Sequence, residues 1–200
     1  MRIGNSRKRR NIGRGRTGRQ YSLRVSRTAD FPLASHGAPV LARPMVRYRP
    51  NVAFILRRGD GCILIGERSD VQGAWQFPQG GMDRDETAEE AVKREVLEEI
   101  SLAPSDYRLV GKRGPYRYEF PGGRTKDGYG GQEQTYFLAD FVGDEAQILS
   151  QPSTVEFRAV RWIAPAEFRL EWVAPMKRLV YRDVMRDFFD VVPPEPSRAA

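Results

Sequence analysis

The run Gly80–Leu102, GGMDRDETAEEAVKREVLEEISL, constrains this chain more than any other segment. Val92, Val96 and Ile100 recur every fourth residue, which predicts a helix with one buried stripe. Thr87 stands at the N-cap position, with Glu90 three residues on as its capping-box partner. At about 100° per residue, Glu95 and Glu99 lie on adjacent turns with Glu98 beside them. A carboxylate edge therefore runs next to the apolar stripe. Clustered carboxylates repel one another, and a fold keeps them close mainly where a cation neutralises them. Oxygen ligands without His or Cys favour Mg²⁺ or Mn²⁺ over zinc. Arg94 is placed to pair with one glutamate and hold its rotamer. A solvated acidic face is the bland meaning of such a helix. The tight turn expected at Gly80-Gly81, together with Glu86, Arg94 and three ordered acids, favours a metal site suited to hydrolysing a pyrophosphate bond.

The spacing of Gly80, Glu86 and Arg94-Glu95-Val96-Leu97-Glu98-Glu99-Ile100-Ser101-Leu102 resembles the signature of the Nudix hydrolases, which cleave nucleoside diphosphates linked to another group. The resemblance implies an α/β fold, the Nudix-type α/β/α sandwich with a mixed β-sheet. One position departs, because the family has Gly where this chain has Ser101. That glycine ends the helix in a left-handed conformation, which Ser adopts at some cost. A slightly less stable or shifted helix end is expected, with activity retained.

The likeness continues beyond the signature, through Tyr48–Val52, Trp75–Gly81, Gly131–Phe137, Ser153–Phe157 and Lys177–Tyr181. The series is similar to the bacterial RNA pyrophosphohydrolases and to the dinucleoside polyphosphate hydrolases. By that resemblance Glu95, Glu98, Glu99 and Glu156, with the Gly80 carbonyl, hold the metal ions. Either Glu98 or Glu156 is the general base. Arg49, Gln76, Gln79, Gln134 and Lys177 are expected to meet the substrate, and Tyr116 and Tyr118 to stack a base. Where the enterobacterial RNA enzyme clamps a base between an Arg and a Phe, this chain aligns Ser69 and Met176, with Arg68 adjacent. Met176 offers an apolar face but no ring. Two enzymatic readings follow, one acting on the 5′-triphosphate end of RNA and one on dinucleoside polyphosphates. A catalytically silent binding module is the third, and the retained Glu86, Glu95, Glu98 and Glu99 speak against it.

The net charge of +7 hides an asymmetry. Residues 1–29 contain ten basic residues and no acid, so the remainder carries 23 basic against 26 acidic residues, or −3. Residues 1–27 are expected to form a basic disordered arm, residues 28–47 a linker, residues 48–190 the Nudix domain and residues 191–200 a flexible tail. The arm reads equally as a solvated tail or as a nucleic-acid contact whose affinity falls with salt. A transit peptide is the weaker option, because Gly13, Gly15 and Gly18 interrupt any amphipathic helix. The single Cys62 permits no internal disulfide and reads as a core residue, and the single His36 lies in the linker. No run is apolar enough for a membrane span, so a cytoplasmic protein is expected.

Strands are expected at Val52–Leu56, Cys62–Ile65, Trp75–Phe77, Thr135–Phe141 and Arg158–Ile163, with a hairpin turn at Gly59-Asp60-Gly61. The Gly- and aromatic-rich stretch 111–134 reads as a flexible loop over the active site. Pro175 is expected to start a last helix that buries Met176, Leu179, Val180, Val184 and Phe188.

Overall fold

The computed structural model describes residues 45–149 and 154–196. The expectations for residues 1–44 and 197–200 lie outside the described residues. In chain order the elements are β1 (Tyr48–Arg57), β2 (Ile63–Arg68), β3 (Trp75–Gln76), β4 (Gln79–Gly81), α1 (Ala88–Ile100), β5 (Tyr107–Glu119), β6 (Gly131–Phe141), β7 (Phe157–Ile163) and α2 (Arg178–Phe189). No helix among the described residues is long and apolar enough to cross a membrane.

β1 is the spine. Val52, Phe54 and Leu56 join the core under α1, while Ala53 and Ile55 join the core under α2. A strand buried on both faces needs a continuous apolar run, and Val52–Leu56 is one. β1 pairs in parallel with β6 from Tyr48↔Gly131 to Arg57↔Asp140, and antiparallel with β4. β5 extends the sheet beyond β6, and β2 leaves β1 at Arg57↔Ile63 to pair with β3 and β7. With α1 on one face and α2 on the other, the mixed sheet forms the expected α/β/α sandwich.

α1 follows its sequence signals. The Thr87 hydroxyl accepts from the Glu90 N–H, and the Glu90 carboxylate accepts from the Thr87 N–H at 2.8 Å. Val92, Val96 and Ile100 are buried. Ser101 caps the helix in the left-handed region at φ 65°, donating its N–H to the Leu97 carbonyl at 3.1 Å. The hairpin turn after β1 also forms as expected, with Gly61 at φ 86°.

Three expectations need correction. The stretch 111–134 is mostly strand: β5 runs to Glu119 and β6 starts at Gly131. Gly111 and Gly114-Pro115 interrupt the alternation that would reveal the strand, and register shifts at Leu109/Gly111 and Arg113/Tyr116 absorb them. What remains between the strands is a short hairpin. Its tip, Asp127-Gly128, has positive φ at both residues, and Lys126 bridges Tyr129. In α2 the buried face is Val180, Tyr181, Val184 and Met185, while Leu179 is exposed and a separate 3-10 turn holds Pro175–Lys177. Val180 and Val184 are buried as expected and Met176 and Phe188 pack against the same core, so Leu179 alone is misplaced. Cys62 is only half-buried, beside the turn.

Ser101→Gly should raise stability by about 0.5–1 kcal/mol. A left-handed L-residue costs roughly 1–2 kcal/mol, and the extra freedom of Gly in the unfolded chain returns part of that. Urea unfolding with an unchanged m-value checks this. A loss of stability would mean that seryl side-chain contacts outweigh the backbone strain.

Candidate active site

The Gly80-Gly81 pair forms β4 rather than the tight turn expected; the turn follows at Arg84-Asp85, where Asp85 has φ 68°. Neither glycine has positive φ, so the requirement is close approach. A Cβ on Gly80 would overlap the Glu95 carboxylate, and one on Gly81 would overlap the Arg49 guanidinium. α1 therefore presents Glu95 directly against bare backbone.

Arg94 makes that approach possible. It was expected to hold one glutamate and instead ties three. Its Nε and Nη2 donate to both oxygens of Glu86 at 2.9 and 2.8 Å, and Nη1 donates to Glu95 at 2.8 Å and to Glu98 at 3.4 Å. Nη2 also donates to the Gly81 carbonyl at 3.0 Å. The guanidinium holds the Glu86 carboxyl below the usual range. Burial pushes Glu95 up, with Arg94 opposing.

Glu99 is 5% exposed and accepts the Gln79 N–H at 3.0 Å. Burial pushes its carboxyl up to about 9; the Gln79 N–H opposes, and the charges of Glu156, Glu95 and Glu98 add to the rise. Glu156, in the segment before β7, accepts from the Gln76 amide at 3.1 Å. The Thr154 N–H donates to the Glu98 carbonyl and ties that segment to α1. Among the described residues, no three acid, His or Cys side chains converge closely enough to form a ligand cage by themselves. The donor set still fits a hard divalent cation. All its donors are oxygens, Glu95 lies against the Gly80 backbone, and Glu99 is buried in the field of three other acids.

The expected substrate residues divide. Arg49, Gln79, Gln76 and Lys177 gather around β4 and the end of β3. Gln134 is fully buried instead: its amide donates to Asn51 at 2.8 Å and to Gln79 at 3.0 Å, and its carbonyl accepts from Tyr136. It holds Gln79 rather than reaching solvent. Tyr116 and Tyr118 lie on β5, not on a loop. The Tyr116 hydroxyl donates to Asp187 at 2.8 Å, and Tyr118 is 7% exposed, so neither ring is free to stack a base. Tyr118 instead lies under the Lys177 ammonium, 5.6 Å from its ring centre. Lys177 is 6% exposed; burial and the Arg68 charge pull its ammonium down to about 8, offset in part by Glu156 and Glu99.

Beside Gln76 and Lys177 opens a cavity of about 420 Å³, walled by Arg68, Trp75, Trp172 and Met176. Arg68 lines it and Ser69 does not. The Ser69 N–H is bonded to the Glu156 carbonyl, and its hydroxyl is buried. Arg68 is fixed by a two-pronged pair with Asp70 at 2.7 and 2.5 Å. The Arg161 guanidinium lies between the two indoles, 4.0 Å from the Trp75 ring centre and 4.6 Å from that of Trp172. Trp172 was not expected at the cavity, nor Arg161 behind its ring. Each is an isolated residue with no motif around it, and only the fold brings them together.

A family model described as the NUDIX domain matches residues 47–188. An RNA pyrophosphohydrolase of Xylella fastidiosa (strain M12) is 42% identical over 140 residues, covering 67% of this chain and 73% of that protein. An RNA pyrophosphohydrolase of Erythrobacter litoralis is 38% identical over 161 residues, covering 74% of this chain and 94% of that protein. Among solved structures, the dihydroneopterin triphosphate pyrophosphohydrolase of E. coli superposes with a TM-score of 0.54 at 20% identity, over 71% of this chain and 97% of that one. That last likeness concerns the fold alone. The chain belongs to the Nudix family, enzymes that hydrolyse phosphoric anhydride bonds.

Proposed function

We propose that this enzyme removes pyrophosphate from the 5′-triphosphate end of RNA, with Mg²⁺ or Mn²⁺ as its cofactor. Members of the family use divalent metal ions. The observation that carries the RNA reading is the cavity beside the acidic cluster. It is lined by the Arg68 guanidinium and the Trp172 indole, groups of the kind that stack on an unpaired base, although position 176 lacks a ring. The names of the most similar relatives point the same way.

Glu95, Glu98, Glu99 and Glu156, with the Gly80 carbonyl, are the residues that would hold the metal. A bound divalent ion supplies charge neutralisation on the phosphate oxygens and lowers the pKa of water. The chain's own groups do the rest. Arg49, Gln79 and Lys177 position the phosphate chain. Arg94 orients Glu95, and Gln76 orients Glu156. Glu98 or Glu156 takes the proton from the attacking water at a carboxylate oxygen. Residues 1–27 add salt-sensitive affinity for the RNA.

Turnover of a 5′-triphosphate RNA and of diadenosine tetraphosphate, side by side with Mg²⁺, tests the substrate. Faster pyrophosphate release from the RNA is the expected result, and faster dinucleotide cleavage would move the enzyme to the other branch. Glu95→Gln should lower kcat/KM by roughly 100-fold or more, beyond the about 10–100-fold typical of losing an outer-shell partner. Unchanged turnover would remove Glu95 from the site.

Glu99 makes stability depend on pH. Its folded value of about 9 lies above its ordinary value of 4.5. The stability gained from its folded-state proton is therefore fully present below pH 4.5 and is lost as pH rises towards 9. Metal-free Tm should fall across this window, and saturating Mg²⁺ should recover most of the fall by binding the ionised form. Glu99→Gln should flatten the metal-free profile; an unaltered slope would show that Glu99 does not hold the proton.

A further inference from the structure

Arg47 and Arg49 lie two residues apart on the approach to and start of β1, which directs them to the same side. Arg49 reaches the catalytic glycines, since its guanidinium lies over Gly81. Arg47 leads the other way. Its guanidinium lies over the Tyr129 ring at 5.1 Å from the centre, and its carbonyl accepts the Gly130 N–H at 2.8 Å. It is thereby fastened to the hairpin between β5 and β6, whose tip is closed by two bonds between Lys126 and Tyr129, both 2.9 Å. That hairpin exposes Arg124 and Lys126. Among the described residues, Arg47, Arg49, Arg124 and Lys126 form no ion pair, whereas Arg117 nearby is neutralised by Glu133. Asp127 and Glu119 are the other acids at this end, and Glu119 accepts from the Tyr48 hydroxyl.

Four cations without ion-pair partners among the described residues, reaching to Gly81 and braced by the hairpin, suit a run of phosphodiesters better than a single small anion. We propose that Arg47, Arg124 and Lys126 form an exit track for single-stranded RNA, gripping the backbone downstream of the nucleotides held at the active site. The inference rests on the RNA reading above. It makes the enzyme sensitive to the length of its substrate. A two-nucleotide 5′-triphosphate ends before the track, whereas a ten-nucleotide strand reaches along it.

The test compares kinetics of the full chain on 5′-triphosphate RNAs of two and ten nucleotides at 0.15 M salt. The variant Arg124→Ala with Lys126→Ala should raise KM for the ten-mer roughly tenfold, because each lost phosphate contact weakens binding about three- to fivefold at this ionic strength. The salt slope of ten-mer binding should fall by about 0.7 per charge removed. Its kcat, and both constants for the two-mer, should not change. The control Arg108→Ala with Lys112→Ala removes two charges near the other end of β5 and should leave ten-mer KM unchanged. Equal KM for wild type and variant on the ten-mer would overturn the track, as would an equal effect of the control pair. Failure of the wild type to release pyrophosphate from either RNA would instead overturn the RNA reading itself.

Discussion

The ion cluster around Arg94 is the interaction on which the site depends. One guanidinium satisfies Glu86 through two bonds, touches Glu95 and Glu98 and closes on the Gly81 carbonyl. Exposed ion pairs contribute little, but this one is 28% exposed and shared among three acids. Its effect is geometric. It pulls α1 against β4 until Glu95 meets backbone, and only glycine leaves room there. β4 is fixed in turn by its register with β1, so the position of one carboxylate is set by the centre of the sheet.

Gln79 carries that constraint further. Its backbone N–H supports Glu99, while its side chain accepts from the buried Gln134 amide. Gln134 also holds Asn51 and accepts from Tyr136, so the polar groups interior to the sheet are engaged with one another. Networks of this kind are costly when half satisfied and rigid when complete. Below them, Phe77, Phe168 and Tyr181 stack with centroids 5.3–5.8 Å apart, and the Tyr181 hydroxyl accepts the Phe77 N–H. This contact anchors α2, and it brings Lys177, one residue ahead of that helix, beside Gln76 at the cavity.

These layers were not equally legible in the sequence. The capping box, the Val92–Val96–Ile100 stripe and the acidic edge of α1 are local features, fixed within a few residues of chain, and they were readable. β5 was not. Its strand character comes from pairing with β6, and Gly111 and Gly114-Pro115 look like a loop until two register shifts are allowed. Tyr116 and Tyr118 were misplaced with it. Leu179 was misassigned for a related reason: a period of 3.6 marks a stripe, but its centre depends on which partner the helix meets. Gln134 was read as a substrate contact from the resemblance, whereas only the register with β1 reveals that it is buried.

The same distinction separates chemistry from selectivity. Three of the four expected metal-binding glutamates stand within one helix of thirteen residues, so a short motif is enough to announce them. The cavity walls come from the end of β2, the following loop, β3 and the turns before α2, and Arg161 of β7 braces them from behind through the Trp75 and Trp172 rings. No window of sequence contains that arrangement. A one-residue comparison at position 69 suggests a lost clamp, yet Arg68 lines the cavity and Trp172 supplies a ring where Met176 has none. If the cavity takes the substrate's base, as proposed above, substrate choice is a property of its walls taken together. Changes at single positions within them need not change what the enzyme accepts, so long as another segment supplies the missing face.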